Sequence, residues 1–555
     1  MERSAMTNTP LDFEQVSAPL PADLRTLPIG LSLSGGGYRA AAFHLGTLAY
    51  LDRTGLLPQL RRLSTVSGGS FTGAKYIISL IENTEFNRFF QDFYRFLRDE
   101  NLFKAGLADL STGKVRVPSG ERKLISSLSN VYADTFLKSP EGTPYRLGTI
   151  LDADIPVQEV VFNATEFRTG VAFRFQKSAN RRARIGNGNV YISRESAKQI
   201  RLSDVVAASS CFPGGFEPMK FPQDFDWPSS TVLKEVEKDI SRGGNPNSVA
   251  LMDGGIYDNQ GIDSLLLADD RKDAEALGLF IISDVDPAQD SLYPYPDNDQ
   301  PPSALTLGQV DWIIRLFLLL CSLTLIAVGY ELWHQINQGD FSFWQDFFPL
   351  LMPLVLVFGV LAVLWWGRNL IKTQLLPRIP QVGIAGWQDL KTLKINEFLY
   401  ILELRFTSLM AMTRSVFMDR IKALIFARVY GDEAYQGKRI SNRIDRLANR
   451  SAALPGIVPL SPALKTVATR AATMGTTLWF DQLGQLVDVT AAGQATICFN
   501  LIQYIVRRYG ETPETYPPAI QELWQTMVQD WAQLNQDPYA LLKGRLPGEK
   551  FPPIS

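Results

Sequence analysis

Residues 347–367 (FFPLLMPLVLVFGVLAVLWWG) run for 21 positions without one charged side chain, and this stretch limits the folds open to the 555-residue chain more than any other. A helix apolar all round must be buried on every side in water, whereas about 20 such residues cross the hydrocarbon layer of a bilayer. A second segment, 313–330 (IIRLFLLLCSLTLIAVGY), has 18 residues and one charge, Arg315, near its start. Trp312, Tyr330, Trp333, Trp344, Trp365 and Trp366 stand at the ends of the two, where interfacial aromatics gather. The pair is expected to form a two-helix membrane hairpin within 308–370; the competing reading is a pair of buried core helices. The connection 331–346 carries Glu331, Asp340 and Asp346 but no Lys or Arg, while Arg315, Arg368, Lys372 and Arg378 flank the outer ends. The positive-inside rule then puts both large remaining portions on the cytoplasmic side of a two-pass protein.

Before the hairpin, the texture is that of an α/β protein. Residues 1–28 are polar and proline-punctuated, lack the basic start and apolar run of a secretory signal, and are expected to be a flexible lead-in. From Ile29 a short apolar strand (IGLSLS), a glycine turn, a helix over 40–51, a strand over 60–66, a second glycine turn and a second helix follow in turn. Residues 157–163 and 171–176 read as further strands, and 279–284 (LFIISD) as one buried on both faces. Such alternation predicts a mainly parallel sheet covered by helices on both sides. Residues 288–307, dense in Pro and Asp, form a linker, and 391–545 look largely helical. Within the latter, 415–430 is a basic amphipathic stretch suited to core packing or to a lipid surface.

Lys+Arg 55 against Asp+Glu 57 leaves no global basic field, so no nucleic-acid partner is expected. Cys211, Cys321 and Cys498 are scattered without metal-ligand spacing, which excludes a disulfide framework. Only two histidines occur, His44 and His334, and any Ser-His-Asp triad or multi-histidine metal site must draw on them.

Three short segments carry the chemistry. Ser34-Gly35-Gly36-Gly37-Tyr38-Arg39 lies between a strand and a helix, where open amides at a helix N-terminus favour an anion. No Gly-Lys-Ser/Thr follows it, and the dinucleotide glycine spacing is absent. Thr65-Val66-Ser67-Gly68-Gly69-Ser70 places a serine among small residues in a strand-turn-helix, the arrangement of a nucleophile elbow, with Thr65 where G-x-S-x-G has its first glycine. Met252-Asp253-Gly254-Gly255 puts an acid at a strand end. His334 falls across the membrane and His44 two turns into a helix, so a Ser-Asp dyad is favoured over a triad.

In this chain order the segments resemble the patatin-like phospholipase family, including its cytosolic phospholipase branch. The resemblance spans roughly 29–287, with weaker echoes at 162–165 (FNAT), at Thr169-Gly170 and at 207–213 (AASSCFP). It implies a three-layer α/β sandwich with Ser67 as nucleophile, Asp253 as base, Gly35, Gly36 and Gly37 as the oxyanion loop, and Arg39 against the lipid phosphate. It implies two-step acyl transfer that releases fatty acid from membrane phospholipid, of phospholipase A or lysophospholipase type, with no metal or cofactor. The alternatives are a catalytically weak membrane-anchored sensor or interaction protein on the same fold, and an acyltransferase or neutral-lipid esterase.

Overall fold

The computed structural model describes residues 20–553 apart from 113–114, 181–182, 243–247, 272–274, 287–304, 340–341, 343, 345–347, 371–390, 393, 413–415, 417 and 450–453. Two compact units are present: Met1–Asp290 together with Phe417–Ser555, and Ser291–Val416. The expected lead-in 1–28 lies outside the described residues up to 19. Within 20–28, Leu24 is fully buried, and the Pro21 carbonyl accepts the Tyr509 hydroxyl at 2.6 Å.

The first unit is built on a sheet whose strands are β1 (Ile29–Leu33), β2 (Leu60–Val66), β3 (Glu159–Glu166), β4 (Val171–Lys177), β5 (Ile185–Gly186), β6 (Tyr191–Ile192), β7 (Met219–Phe221), β8 (Val249–Asp253), β9 (Leu279–Asp284) and β10 (Arg439–Arg443). Their order is β10-β9-β1-β2-β3-β4-β5-β6, with β8 also paired to β3 and β7 to β8. The run from β10 to β3 is parallel, so its carboxyl ends share one edge; β4 to β8 are antiparallel. The α/β expectation is met, as is the burial of 279–284 on both faces. Because strand side chains alternate, Leu279 and Ile281 enter the main core, while Phe280 and Ile282 enter a second core with Ile262, Leu265, Ile425 and Val429. This division makes the unit three-layered.

The C-terminal region does not stand apart from this sandwich. Arg439–Arg443 is an edge strand, and the apolar helix Leu483–Tyr509 covers helix α1 (Gly37–Arg53). The backbones meet at two glycines: a Cβ on Gly46 would stand 2.1 Å from the Thr490 carbonyl oxygen, and one on Gly493 2.2 Å from that of Phe43. Residues 418–430, part of the basic amphipathic stretch, take the core-packing option, with Ile425, Phe426 and Val429 buried and Arg428 paired to Asp263.

In the second unit the hairpin helices run longer than their apolar segments, Leu307–Gln338 and Phe348–Leu370, and they pack on each other. Caps rather than hydropathy set the first helix: Thr306 and Gln309 form a capping box, and Gly339 (φ 81°) ends it. The apolar window of Leu307–Gln338 is 6% buried, against 94% for Gly484–Tyr509, which is long and apolar enough to cross a membrane yet is a core helix. Leu356, Val360, Val363 and Trp366 of the partner helix are also exposed. Lys372, Arg378, Asp340, Asp346 and most of the 288–307 linker lie outside the described residues.

Candidate active site

Ser67 stands between β2 and helix α2 (Gly68–Ile81) with φ 49° and ψ −119°, a left-handed turn that a residue with a side chain adopts only under constraint. The constraint is a hydrogen-bond chain. Ser209 Oγ donates to the Asn163 carbonyl (2.7 Å), so its lone pairs receive the Ser67 amide (3.0 Å) and the Ser70 hydroxyl (2.8 Å). Ser70 Oγ also lies 2.9 Å from Thr65 Oγ1, whose other partner is the Val161 carbonyl (3.2 Å). The departure at Thr65 is therefore accommodated: its methyl lies where a Cβ on Gly73 would come within 2.4 Å, so the glycine that the elbow lacks is found one turn into α2.

β3 joins the elbow to the acid. Asn163 Nδ2 donates to Ser64 Oγ (2.9 Å) and the Thr65 carbonyl (3.0 Å) on β2, while Ala164 pairs with Asp253 on β8 and Thr165 Oγ1 donates to the Asp253 carbonyl (2.8 Å). The end of the helix Leu202–Ser209 holds the same strand from the other side, since the Cys211 carbonyl accepts the Asp253 amide (2.9 Å) and that of Ser209 the Gly254 amide (3.3 Å). The sequence echoes at 162–165 and 207–213 are thus the clamps on Ser67 and Asp253. The Ser67 hydroxyl lies close enough to the Asp253 carboxylate to lower its pKa, in a site where the two residues are 8% and 6% exposed. Burial lifts the Asp253 carboxyl to about 6, against the pull of the Gly255 amide (2.7 Å) and the Ser67 hydroxyl; the negative charge of Asp286 adds to the rise.

The glycine loop divides its work differently from the expectation of three equivalent donors. The Gly35 amide is spent on the Asn259 carbonyl at 3.0 Å, which removes it as an oxyanion donor. Gly35 serves by lacking a side chain: a Cβ there would stand 2.4 Å from Asn259 Oδ1 and 3.2 Å from Ser67 Cβ. Gly36 and Gly37 take φ of 144° and 56°, and among the described residues neither N–H has an acceptor. The same holds for Gly68, which abuts Gly37 so closely that a Cβ on it would lie 2.7 Å from Gly37 N. The N-termini of α1 and α2 therefore converge beside Ser67, and their dipoles favour negative charge there. The sequence reading passed over the Gly68 amide because that glycine was already accounted for by the elbow.

Arg39 is 6% exposed, and its Nη1 donates to the Met474 carbonyl, so the guanidinium ties the segment following the helix Pro462–Thr473 to α1. The same segment receives the Tyr38 amide on the Thr477 carbonyl (2.8 Å). Arg39→Ala is accordingly expected to lower turnover of a phospholipid and of a neutral ester by the same factor, through loss of about 1.5–3 kcal/mol of a charged hydrogen bond. Parallel assays of the two substrates check this; a selective loss on phospholipid would restore the phosphate role.

His44 is fully buried, and desolvation lowers its pKa to about 4, so it is neutral. Its Nε2 donates to the Ser34 carbonyl (3.0 Å) and its Nδ1 accepts from Ser283 Oγ (2.9 Å). Asn442 on β10 donates to Ser283 Oγ (3.3 Å) and accepts from Asn500 (3.2 Å), so a buried polar chain runs from the helix Leu483–Tyr509 to the start of the glycine loop. His44 is a buttress of this chain.

Residues 31–266, which contain all three motifs, match the family model described as Patatin-like phospholipase. A solved structure, that of VipD from Legionella pneumophila, is similar over 93% of this chain and 93% of its own, at 12% identity and a TM-score of 0.21. A comparison with curated proteins finds no match.

Proposed function

We propose, from the premise that residues 31–266 form a patatin-like phospholipase domain, that this chain is a membrane-anchored serine hydrolase of lipid acyl esters, with phospholipid or lysophospholipid as substrate. The observation that carries the reading is the Ser67 hydroxyl beside a buried Asp253, next to two helix N-termini with open amides. Ser67 Oγ attacks the ester carbonyl while its proton passes to Asp253. The oxyanion that develops takes hydrogen bonds from Gly36, Gly37 and Gly68, each donor worth roughly 3–4 kcal/mol at such sites. Collapse expels the alcohol, which takes the proton back from Asp253. Water, deprotonated by the same carboxylate, then attacks the acyl-Ser67 ester, and the fatty acid leaves as the serine is restored.

Anchoring is supported by the exposed apolar surface of Leu307–Gln338 and by topology. β9 precedes the second unit and β10 follows it, yet the two are neighbouring strands of one sheet. Both ends of the insert must therefore be on the same side of any membrane it enters, which requires an even number of crossings. Full-length protein is expected to stay in the membrane pellet through a carbonate wash, with Gln338→Cys labelled from the non-cytoplasmic side alone; extraction by salt would reduce the hairpin to a peripheral contact. The hydrolase reading is tested by mass spectrometry of fatty acids released from phospholipid vesicles, wild type against Ser67→Ala. Equal release by both would sink it.

The buried base sets the pH profile. Ionised Asp253 is the active form, so kcat/KM should fall about tenfold per unit as pH drops below about 6 and level off above it. Removing the charge that helps hold this pKa up, as in Asp286→Asn, should move the acid limb to lower pH. An unchanged limb in that variant, or a wild-type limb near 4, would contradict the assignment.

A further inference from the structure

The edge of the sheet at which β2 ends in Ser67 is bordered by apolar side chains that the fold leaves in water. On the acid's side, Phe212 follows Cys211, whose carbonyl holds the Asp253 amide, and is 45% exposed. Phe167, 54% exposed, follows the carboxyl end of β3 and donates its amide to the Ala250 carbonyl (2.8 Å). On the side of the glycine loop, the Thr477 carbonyl that receives the Tyr38 amide stands 2.3 Å from where a Cβ on Gly37 would lie. Thr477 Oγ1 donates to the Trp479 carbonyl (2.6 Å), and the partly exposed Trp479 ring is 5.9 Å from that of Phe103. Phe103 and Leu107, one turn apart on the helix Leu102–Thr112, are exposed, while Leu102 and Gly106 face inward. Lys104 and Arg168, both exposed, adjoin Phe103 and Phe167 in the chain, and Asp481 accepts Trp479 Nε1 (2.7 Å). Exposed apolar side chains around a site mark a surface for a partner. Aromatic rings beside cations suit the boundary between lipid head groups and acyl chains.

The course of the chain says which partner. The insert Ser291–Val416, which carries the exposed apolar helix Leu307–Gln338, leaves and re-enters the first unit beside the acid. It departs after β9, where Asp286 accepts from the side chain of Asn259 (2.8 Å), the residue whose carbonyl holds the Gly35 amide. The chain returns through the helix Met418–Tyr430, which packs on Gly255–Asp258, the turn that follows Asp253. We propose that the catalytic unit makes its own contact with a phospholipid bilayer through this rim. Phe103, Leu107, Phe167, Phe212 and Trp479 enter the interfacial layer, so that a lipid moves to Ser67 without crossing water. The purpose of such a contact rests on the hydrolase reading above; its existence is measured without turnover.

The test uses full-length protein in vesicles of phosphatidylcholine and phosphatidylglycerol, with an environment-sensitive fluorophore on Leu107→Cys or on Phe167→Cys. Cys211, Cys321 and Cys498 are buried, so the wild type gives the labelling background. The comparison is Glu275→Cys, exposed at the opposite edge, where the Glu275 carbonyl accepts Arg62 from the start of β2. Quenching by lipids spin-labelled near the head group is expected at 107 and 167 and not at 275. In parallel, Phe103→Asp combined with Phe167→Asp should lower fatty-acid release from vesicles about tenfold or more, as expected for lost burial of aromatic side chains. Release from a monomeric, water-soluble short-chain ester should be unchanged. Labels at 107 and 167 that stay unquenched, quenching equal at 275, or equal losses on the two substrates would overturn the proposal. Quenching at the rim without any fatty-acid release would sink the hydrolase and leave the surface standing; release without quenching would do the reverse.

Discussion

Ser67→Ala is expected to abolish ester hydrolysis, by about three orders of magnitude or more, with the fold intact. The hydroxyl is the group that attacks, whereas the turn is held by the Ser67 amide on Ser209, which alanine keeps. Asp253→Asn should be equally inactive yet more stable than the wild type. A carboxyl whose folded pKa is about 6 against an ordinary 3.8 binds its proton more tightly in the native state, so ionising it costs the fold about 3 kcal/mol once the pH is above 6. The amide carries no such charge, and a higher Tm at neutral pH together with lost turnover would separate a base from a structural acid. His44→Ala, by contrast, should keep substantial turnover in the folded fraction. Loss as complete as in Ser67→Ala would restore a triad.

A chain ended after residue 290 is expected not to fold, although the three motifs all precede that point. It would lose the edge strand β10, expose the face of α1 that Leu483–Tyr509 covers, and leave Asn442 and Asn500 missing from the buried chain through His44. The apolar side chains of that one helix include Leu486, Val487, Val489, Ile497, Phe499, Leu501, Ile502 and Ile505, all fully buried. At about 1.5–3 kcal/mol each, their burial is together as large as or larger than the 5–15 kcal/mol that holds a typical domain. Limited proteolysis and gel filtration of 20–290, compared with a chain that retains 417–555, would check this. A soluble, protease-resistant 20–290 fragment would refute it.

The parts of this architecture written in local pattern were legible. Residues 60–66 and 279–284 announce themselves as apolar runs bounded by turns, and they are β2 and β9. Ser67 and Asp253 could be named because an elbow and an Asp-Gly-Gly turn need small residues at fixed offsets. β10 could not be seen: RISNR has one apolar residue, since an edge strand needs few and its inward Asn442 is satisfied by hydrogen bonds rather than packing. The fastening of Arg39 is illegible for a related reason. Its partner, the Met474 carbonyl, is 435 positions away, and nothing local marks it. The glycine loop falls between β1 and α1, as its pattern implies, but which of its amides remain open depends on Asn259, a residue brought there by the turn after β8.

The carbonyls of Met474 and Thr477 that fasten Arg39 and Tyr38 have a consequence for biosynthesis. The ribosome makes the glycine loop, the elbow and the acid first, then the hairpin, and only afterwards the segment that fixes the start of α1. Adjacent strands β9 and β10 are likewise separated by the whole insert. A nascent chain that has reached only the hairpin thus carries all three motifs and the clamps on Ser67 and Asp253, but not the carbonyls that fasten Tyr38 and Arg39. The start of α1 therefore reaches its final fastening only after residues 474–477 have been made, later than the 308–370 segment.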